Sequence, residues 1–271
     1  MERALNQATT PGLSYPEFLD LAAALGCIGV EPRNDLARPL FDGMDPADAG
    51  RMARDKGLRL VGLSQVYPFN DWSDARAREV ADLIATAKAC GAETISLIPR
   101  VDGERIADGE RQADLRYVLQ QILPMLRDSD LLGLVEPIGF TTSSLKDKAE
   151  LVEVIEALGA RDHIKLVHDT FQHILGGGGG IFPDHTGMVH ISGISGLDAP
   201  MEDKLDSQRV LVDQHDRLDN VKQIATLQKG GYTGPFSFEC TSAEIHALAN
   251  PEAAIRHSFE FISSRLRTVI A

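Results

Sequence analysis

The sequence predicts an α/β fold, a single (β/α)8 TIM barrel domain spanning residues 1–271. Three observations predict it. Eight short, apolar, β-branched runs alternate with helical stretches, the pattern of parallel strands joined by crossover helices. The length of 271 residues lies close to the roughly 250 typical of one such barrel. Four runs in the second half each carry an ionisable residue near the C-terminal end, where barrel active sites are built.

The elements follow in order. The first strand candidate is Arg3–Asn6, followed by the helical stretch YPEFLDLAAALG. Ile28–Pro32 leads to PADAGRMARDKG, and Arg59–Val66 leads to DARAREVADLIATAKACG. Thr94–Arg100 precedes ERQADLRYVLQQILPMLRD, and Leu131–Ile138 precedes KAELVEVIEALG. After Ile164–Thr170 no full helix is visible, and the glycine run Gly176–Gly180 takes its place. Gly187–Gly193 follows. VKQIATLQKGG then leads into the eighth candidate, Pro235–Cys240, and PEAAIRHSFEFISSRLRTVI closes the chain. Several helical stretches end in Gly, a frequent C-terminal stop.

Composition narrows the function classes. The formal charge is -13, from 27 basic and 40 acidic residues, which argues against nucleic acid as a partner. No apolar run reaches the roughly 18 residues of a membrane span. The opening MERALNQATTPGLS lacks a signal-peptide core. Cys27, Cys90 and Cys240 form no CxxC pair, and this sparse, odd count fits a reducing cytoplasm. A cytoplasmic enzyme acting on a small molecule is the expectation, and the sequence is compatible with a homo-oligomer.

The four ionisable residues are Glu136 in LLGLVEPIGF, Asp169 in IKLVHDTF, His190 in GMVHISGIS and Glu239 in GPFSFEC. Alternate side chains of a barrel strand face inward. Phe236 and Phe238 suit the outer face packed on helices, so Glu239 shares the inner face with Ser237. By the same parity Glu136 goes with Leu134, Asp169 with Val167, and His190 with Met188 and Ser192. His168 then points away. Burying uncompensated carboxylates is expensive, and one divalent cation shared by all four residues is the simplest compensation. Three carboxylates and one imidazole suit Mn2+, Mg2+ or Co2+ and admit Zn2+. Against one divalent cation they leave about one net negative charge, which can serve as a base.

The order Glu, Asp, His, Glu on strands five to eight resembles the xylose isomerase-like TIM barrels of the sugar-phosphate isomerase/epimerase type, which include ketose 3-epimerases, hydroxypyruvate isomerases and 2-keto-myo-inositol (inosose) isomerases. The resemblance covers nearly the whole chain. It is densest in LVEPIGF, LVHDTFQHILGG, VHISGIS and RVLVDQHDRLDNVKQIATLQKGGYTGPFSFE. It implies that Glu136, Asp169, His190 and Glu239 are the metal ligands and that Arg209 binds substrate. Two departures stand out. The family often has a substrate-contacting His three residues after the strand-six Asp; here that position is Gln172 and the His is His173, so either could make the contact. The turn VDQHD replaces a family pattern richer in Pro and Gly.

Two further substrate-contact candidates come from strand ends. Glu31 in GVEPRND could bond a substrate hydroxyl or pair with Arg33 on the surface. Gln65 in LSQVYPF could read a hydroxyl. Tyr67, Phe69 and Trp72 could form a rim or simply pack on helices.

The expected chemistry is isomerisation or epimerisation of a polyhydroxy ketone through a metal-bound enediolate, with Glu136 and Glu239 as the catalytic pair moving the proton. Likeness around VHDTFQH and DRLDN favours an inosose and a role in inositol catabolism. The alternatives are a hydroxypyruvate isomerase or ketose 3-epimerase, and an inosose dehydratase. A multi-zinc DNA-repair endonuclease of the same barrel superfamily is disfavoured by the charge and by the shortage of inward His. A non-enzymatic sugar-binding barrel is disfavoured by the intact ligand set.

Overall fold

The computed structural model describes residues 1–196 and 199–270. Nine parallel strands form one sheet: β1 (Glu2–Asn6), β2 (Gly29–Glu31), β3 (Arg59–Leu60), β4 (Leu63–Val66), β5 (Thr94–Leu97), β6 (Leu132–Val135), β7 (Ile164–Asp169), β8 (Thr186–Ile191) and β9 (Pro235–Phe238). Their order is β3-β2-β1-β9-β8-β7-β6-β5-β4. The two ends of that order, β3 and β4, are halves of one predicted strand, Arg59–Val66. The expected eight strands are therefore nine, because the third is interrupted at Val61–Gly62. β3 pairs with β2 while β4 pairs with β5, so the interrupted strand brings the sheet round to near closure.

Gly62, at the break, has little room for a side chain. A Cβ there would lie 3.0 Å from Thr94 Oγ1 and 3.4 Å from Glu31 Oε2. The buried Glu31 carboxylate takes up the space that a side chain at residue 62 would fill.

The helices are α1 (Tyr15–Ala24), α2 (Pro46–Asp55), α3 (Asp74–Cys90), α4 (Glu110–Ser129), α5 (Lys148–Ala157), α6 (Thr170–Leu175), α7 (Asn220–Lys229), α8 (Ala243–His246) and α9 (Pro251–Ile270). Side-chain caps start several of them: Asp45 on α2, Ser73 on α3 and Asp147 on α5 each accept backbone N–H bonds of the first turn. After β7 the chain makes only the six-residue α6 before the glycine run. Gly177, Gly178 and Gly179 there have φ between 78° and 92°, which other residues adopt only with strain. None of the described helices is long and apolar enough to cross a membrane.

Strand parity divides the core as the sequence implies. Ala4, Val61, Leu134, Val167 and Met188 form a small cluster inside the barrel. Val189, Ile191, Phe236 and Phe238 belong instead to the larger core shared with the helices. Phe238 packs on Phe259 of α9 with ring centroids 4.5 Å apart. Each interior residue of β6, β7 and β8 lies two positions before one of the polar residues, so the apolar plug is the floor on which the polar site stands.

Candidate metal centre

The strands end where the site begins. Glu136 follows β6 directly, Asp169 is the last residue of β7, His190 is next to last in β8, and Glu239 follows β9. One ligand atom from each of these residues lies within 4.8 Å of all the others, and all four side chains are buried. His190 Nδ1 is 3.1 Å from Glu239 Oε2 and 3.7 Å from Glu136 Oε2. Nevertheless Nδ1 makes no hydrogen bond. Its other nitrogen, Nε2, lies 3.1 Å from Glu31 Oε2. A carboxylate behind an imidazole fixes the tautomer and aims the opposite nitrogen at a cation. A buried imidazole nitrogen that makes no hydrogen bond and faces three carboxylates fits a divalent ion.

The charges of the protein itself are strained in this cluster. Burial drives the Glu136 carboxyl up, and Glu239 and Asp169 push it further against the pull of His190. Burial also works against an ionised Glu239, but His190, Arg209 and Arg33 outweigh it and hold Glu239 well below the usual carboxylate range. The environments of the two glutamates thus differ in sign.

Arg209 lies among the carboxylates and is 3 % exposed. Its Nη2 donates to Asp169 Oδ2 and is 3.2 Å from Glu239 Oε2. Nε donates to Ser192 Oγ at 2.9 Å, and Nη1 reaches Asp206 Oδ1 at 3.3 Å. The guanidinium also stacks on Phe171, 5.5 Å from the ring centre. Asp169 Oδ1 accepts the Gln172 backbone N–H at 2.7 Å, so this one carboxylate caps α6 while it holds Arg209.

Above the four residues opens a cavity of about 160 Å³ whose walls include Arg33, Gln65, Glu136, Gln172, Arg209 and Glu239. A larger cleft of about 450 Å³ lies outside the barrel beside α7 and α9 and contains none of the clustered residues. The buried polar groups converge on the smaller cavity.

The structure separates the remaining candidates. Gln172 lines the cavity, with Oε1 accepting from Gly139 N at 2.9 Å and Nε2 donating to Asp206 Oδ1 at 3.1 Å. His173 turns the other way, 2.5 Å from Lys148 Nζ. Gln65 lines the cavity and also donates to Asp35 at 3.1 Å. Glu31 stands behind His190 rather than at the cavity wall, and it does not pair with Arg33. Phe69 is fully buried core, and neither Tyr67 nor Trp72 lines the cavity. The sequence reading missed Arg33, whose Nη1 lies 2.6 Å from Glu239 Oε1. The signal was available: Arg33 is two residues past Glu31, hence on the same face of the extended segment.

Comparison with known proteins agrees with the barrel fold. The profile described as xylose isomerase-like TIM barrel matches residues 19–265. No curated protein matches the sequence significantly. Among solved structures, a xylose isomerase domain containing protein from Salmonella typhimurium LT2 shares 28% identity over 98% of this chain and 97% of its own, with a TM-score of 0.89. The IOLI protein with a bound zinc atom superposes with a TM-score of 0.86 at 19% identity, covering 99% of each chain. A D-allulose 3-epimerase from Methylomonas sp., in complex with D-allulose, gives a TM-score of 0.68 at 16% identity over 99% of this chain and 96% of that one. The last two likenesses are matches of fold. With its profile match across most of the sequence, the chain belongs to the xylose isomerase-like TIM barrel family.

Proposed function

We propose that this protein is a divalent-metal-dependent isomerase or epimerase of a polyhydroxy ketone, with an inosose (2-keto-myo-inositol) as favoured substrate. The observation that carries the reading is His190 Nδ1, which makes no hydrogen bond and faces three carboxylates, two of which, Glu136 and Glu239, line a cavity. The zinc of the IOLI structure and the sugar bound to the Methylomonas epimerase support it by analogy of fold. The preference for an inosose rests on the sequence likeness around VHDTFQH and DRLDN.

Glu136, Asp169, His190 and Glu239 would hold the ion. Once bound, it would acidify a C–H next to a chelated carbonyl and stabilise the negative charge of the enediolate. The side chains do the rest. Glu239, ion-paired with Arg33 and Arg209, takes the proton, and Glu136 returns it to the neighbouring carbon or to the opposite face. Arg209 orients the developing oxyanion with its planar fork. Gln65, Gln172 and Arg33 supply polar contacts for hydroxyls at the cavity wall.

The test is turnover of an inosose in D2O with Mn2+, followed by NMR. Proton transfer places deuterium on the carbon next to the carbonyl. Rapid turnover with no deuterium in carbon would instead indicate a hydride shift. Loss of water in the product mass spectrum would convert the reading to a dehydratase.

A further inference from the structure

We propose that Arg33 is a positioning residue of the metal centre, holding one oxygen of Glu239 so that only the other is offered to the cation. The proposal rests on the reading of the four clustered residues as a metal centre. Arg33 Nη1 approaches Glu239 Oε1 at 2.6 Å. Glu239 Oε2 is the oxygen turned to the ligand set, 3.1 Å from His190 Nδ1. A carboxylate pinned at one oxygen cannot swing both onto an ion.

Arg33 is itself fixed at every point. Nε and Nη2 fork onto Asp35 Oδ1 and Oδ2 at 2.8 and 2.7 Å. Asp35 Oδ2 also accepts from Gln65 Nε2 at 3.1 Å. The Arg33 backbone N–H donates to Gln7 Oε1 at 3.1 Å, and residue 33 forms a parallel bridge with Ser64. The side chain is 12 % exposed. A continuous chain therefore runs from Gln65 through Asp35 and Arg33 to Glu239. Both Gln65 and Arg33 face the cavity, so the chain links the place where substrate would lie to a metal-ligating oxygen.

The same segment serves a second ligand. Glu31, two residues before Arg33, holds His190 Nε2. The stretch EPRND lies outside every strand that carries a ligand, yet it orients two of the four. Arginine is suited to the task because its rigid fork engages Asp35 and Glu239 together, whereas the point charge of a lysine would hold one partner at a time.

The test uses Co2+ as the probe metal, since its visible bands report coordination number and geometry. Arg33→Lys keeps the charge, so repulsion between side chain and cation is unchanged and only the fork is lost. Co2+ affinity, measured against a chelating dye, should fall about 10-fold, and the visible bands should change. Arg59→Lys, at an exposed pair with Glu93, should alter neither. Asp35→Asn loosens the fork without touching a ligand and should change the bands in the same sense. It carries the test if Arg33→Lys does not fold. Wild-type bands and affinity in Arg33→Lys, or wild-type bands in Asp35→Asn, would overturn the role of Arg33 alone. Failure of the unmodified protein to bind Co2+ would overturn the metal centre and this proposal together.

Discussion

Strand β7 ends with two buried ionisable side chains on opposite faces. Asp169 points into the barrel, where it meets Arg209 and the other three clustered residues. His168 points outward and meets Lys148 of α5, with Nδ1 3.1 Å from Nζ. Lys148 also contacts His173, and His168 Nε2 lies 2.8 Å from Gln223 Oε1. Gln223 Nε2 donates to the carbonyls of Thr170 and Leu218, so its oxygen must accept the His168 Nε2 proton. His168 Nδ1 is then left to accept from Lys148. The outer network leaves no buried side-chain atom of Lys148, His168, His173 or Gln223 without a partner. The inner cluster leaves His190 Nδ1 and Glu31 Oε1 without one and opens onto a cavity. Burial and charge are common to both sides of the strand. What distinguishes the inner cluster from a self-satisfied polar core is a buried nitrogen without a hydrogen bond among carboxylates, two of which, Glu136 and Glu239, line open space.

The sharpest way to break this contrast is to remove the inner carboxylates. Glu239→Gln keeps the shape but loses the base, and kcat should fall by about 10²- to 10⁴-fold. In the double variant Glu136→Ala, Glu239→Ala, elemental analysis should find the metal lost. Full occupancy in that variant would mean the cluster is as structural as its neighbour across the strand.

The outer network should show itself in stability rather than turnover. Burial pushes the Lys148 ammonium from 10.5 down to about 7. From that pH up to the unfolded value, the unfolded chain holds a proton that the folded chain does not, so stability rises with pH through this window. Below it the full penalty of burying the charge applies. Lys148→Met removes the titrating group. Urea denaturation between about pH 7 and pH 9 should therefore show the wild type gaining about 2 kcal/mol relative to the variant. A constant difference across that range would mean that Lys148 titrates as an exposed lysine does.

The inner cluster was legible in the sequence and the outer one was not, for a physical reason. A carboxylate or imidazole near the end of a short apolar run stands out locally, and strand parity assigns its face without knowledge of any partner. That was enough for Glu136, Asp169, His190 and Glu239. Lys148 opens a helix and reads as an ordinary polar residue, because its partners come from β7 and α6. Arg33 read as a surface partner of Glu31 because the clustered carboxylate it contacts, Glu239, lies 206 positions away. Glycine at residue 62 leaves room for the Glu31 carboxylate, again a contact between separate strands. Local periodicity carried the alternation of strands and helices. Contacts that bridge elements fixed what periodicity could not.

The smallest effect tests the contrast one turn further along the chain. Gln172 and His173 are neighbours in α6, and they continue the division made by Asp169 and His168. Gln172 faces the cavity, while His173 is buried against Lys148. The N-cap bond from Asp169 fixes the first turn of α6 and so sets which residue faces inward. Gln172→Ala would remove a neutral amide from the cavity wall, worth about 1 kcal/mol, and should raise KM about 5-fold with kcat little changed. His173→Ala should leave KM within about 2-fold and lower stability by about 1–3 kcal/mol, since it strips a partner from buried Lys148. The reverse pattern, with KM responding to His173 and not to Gln172, would mean that α6 turns by about 100° when substrate binds, bringing the histidine round to the position where the family usually carries one.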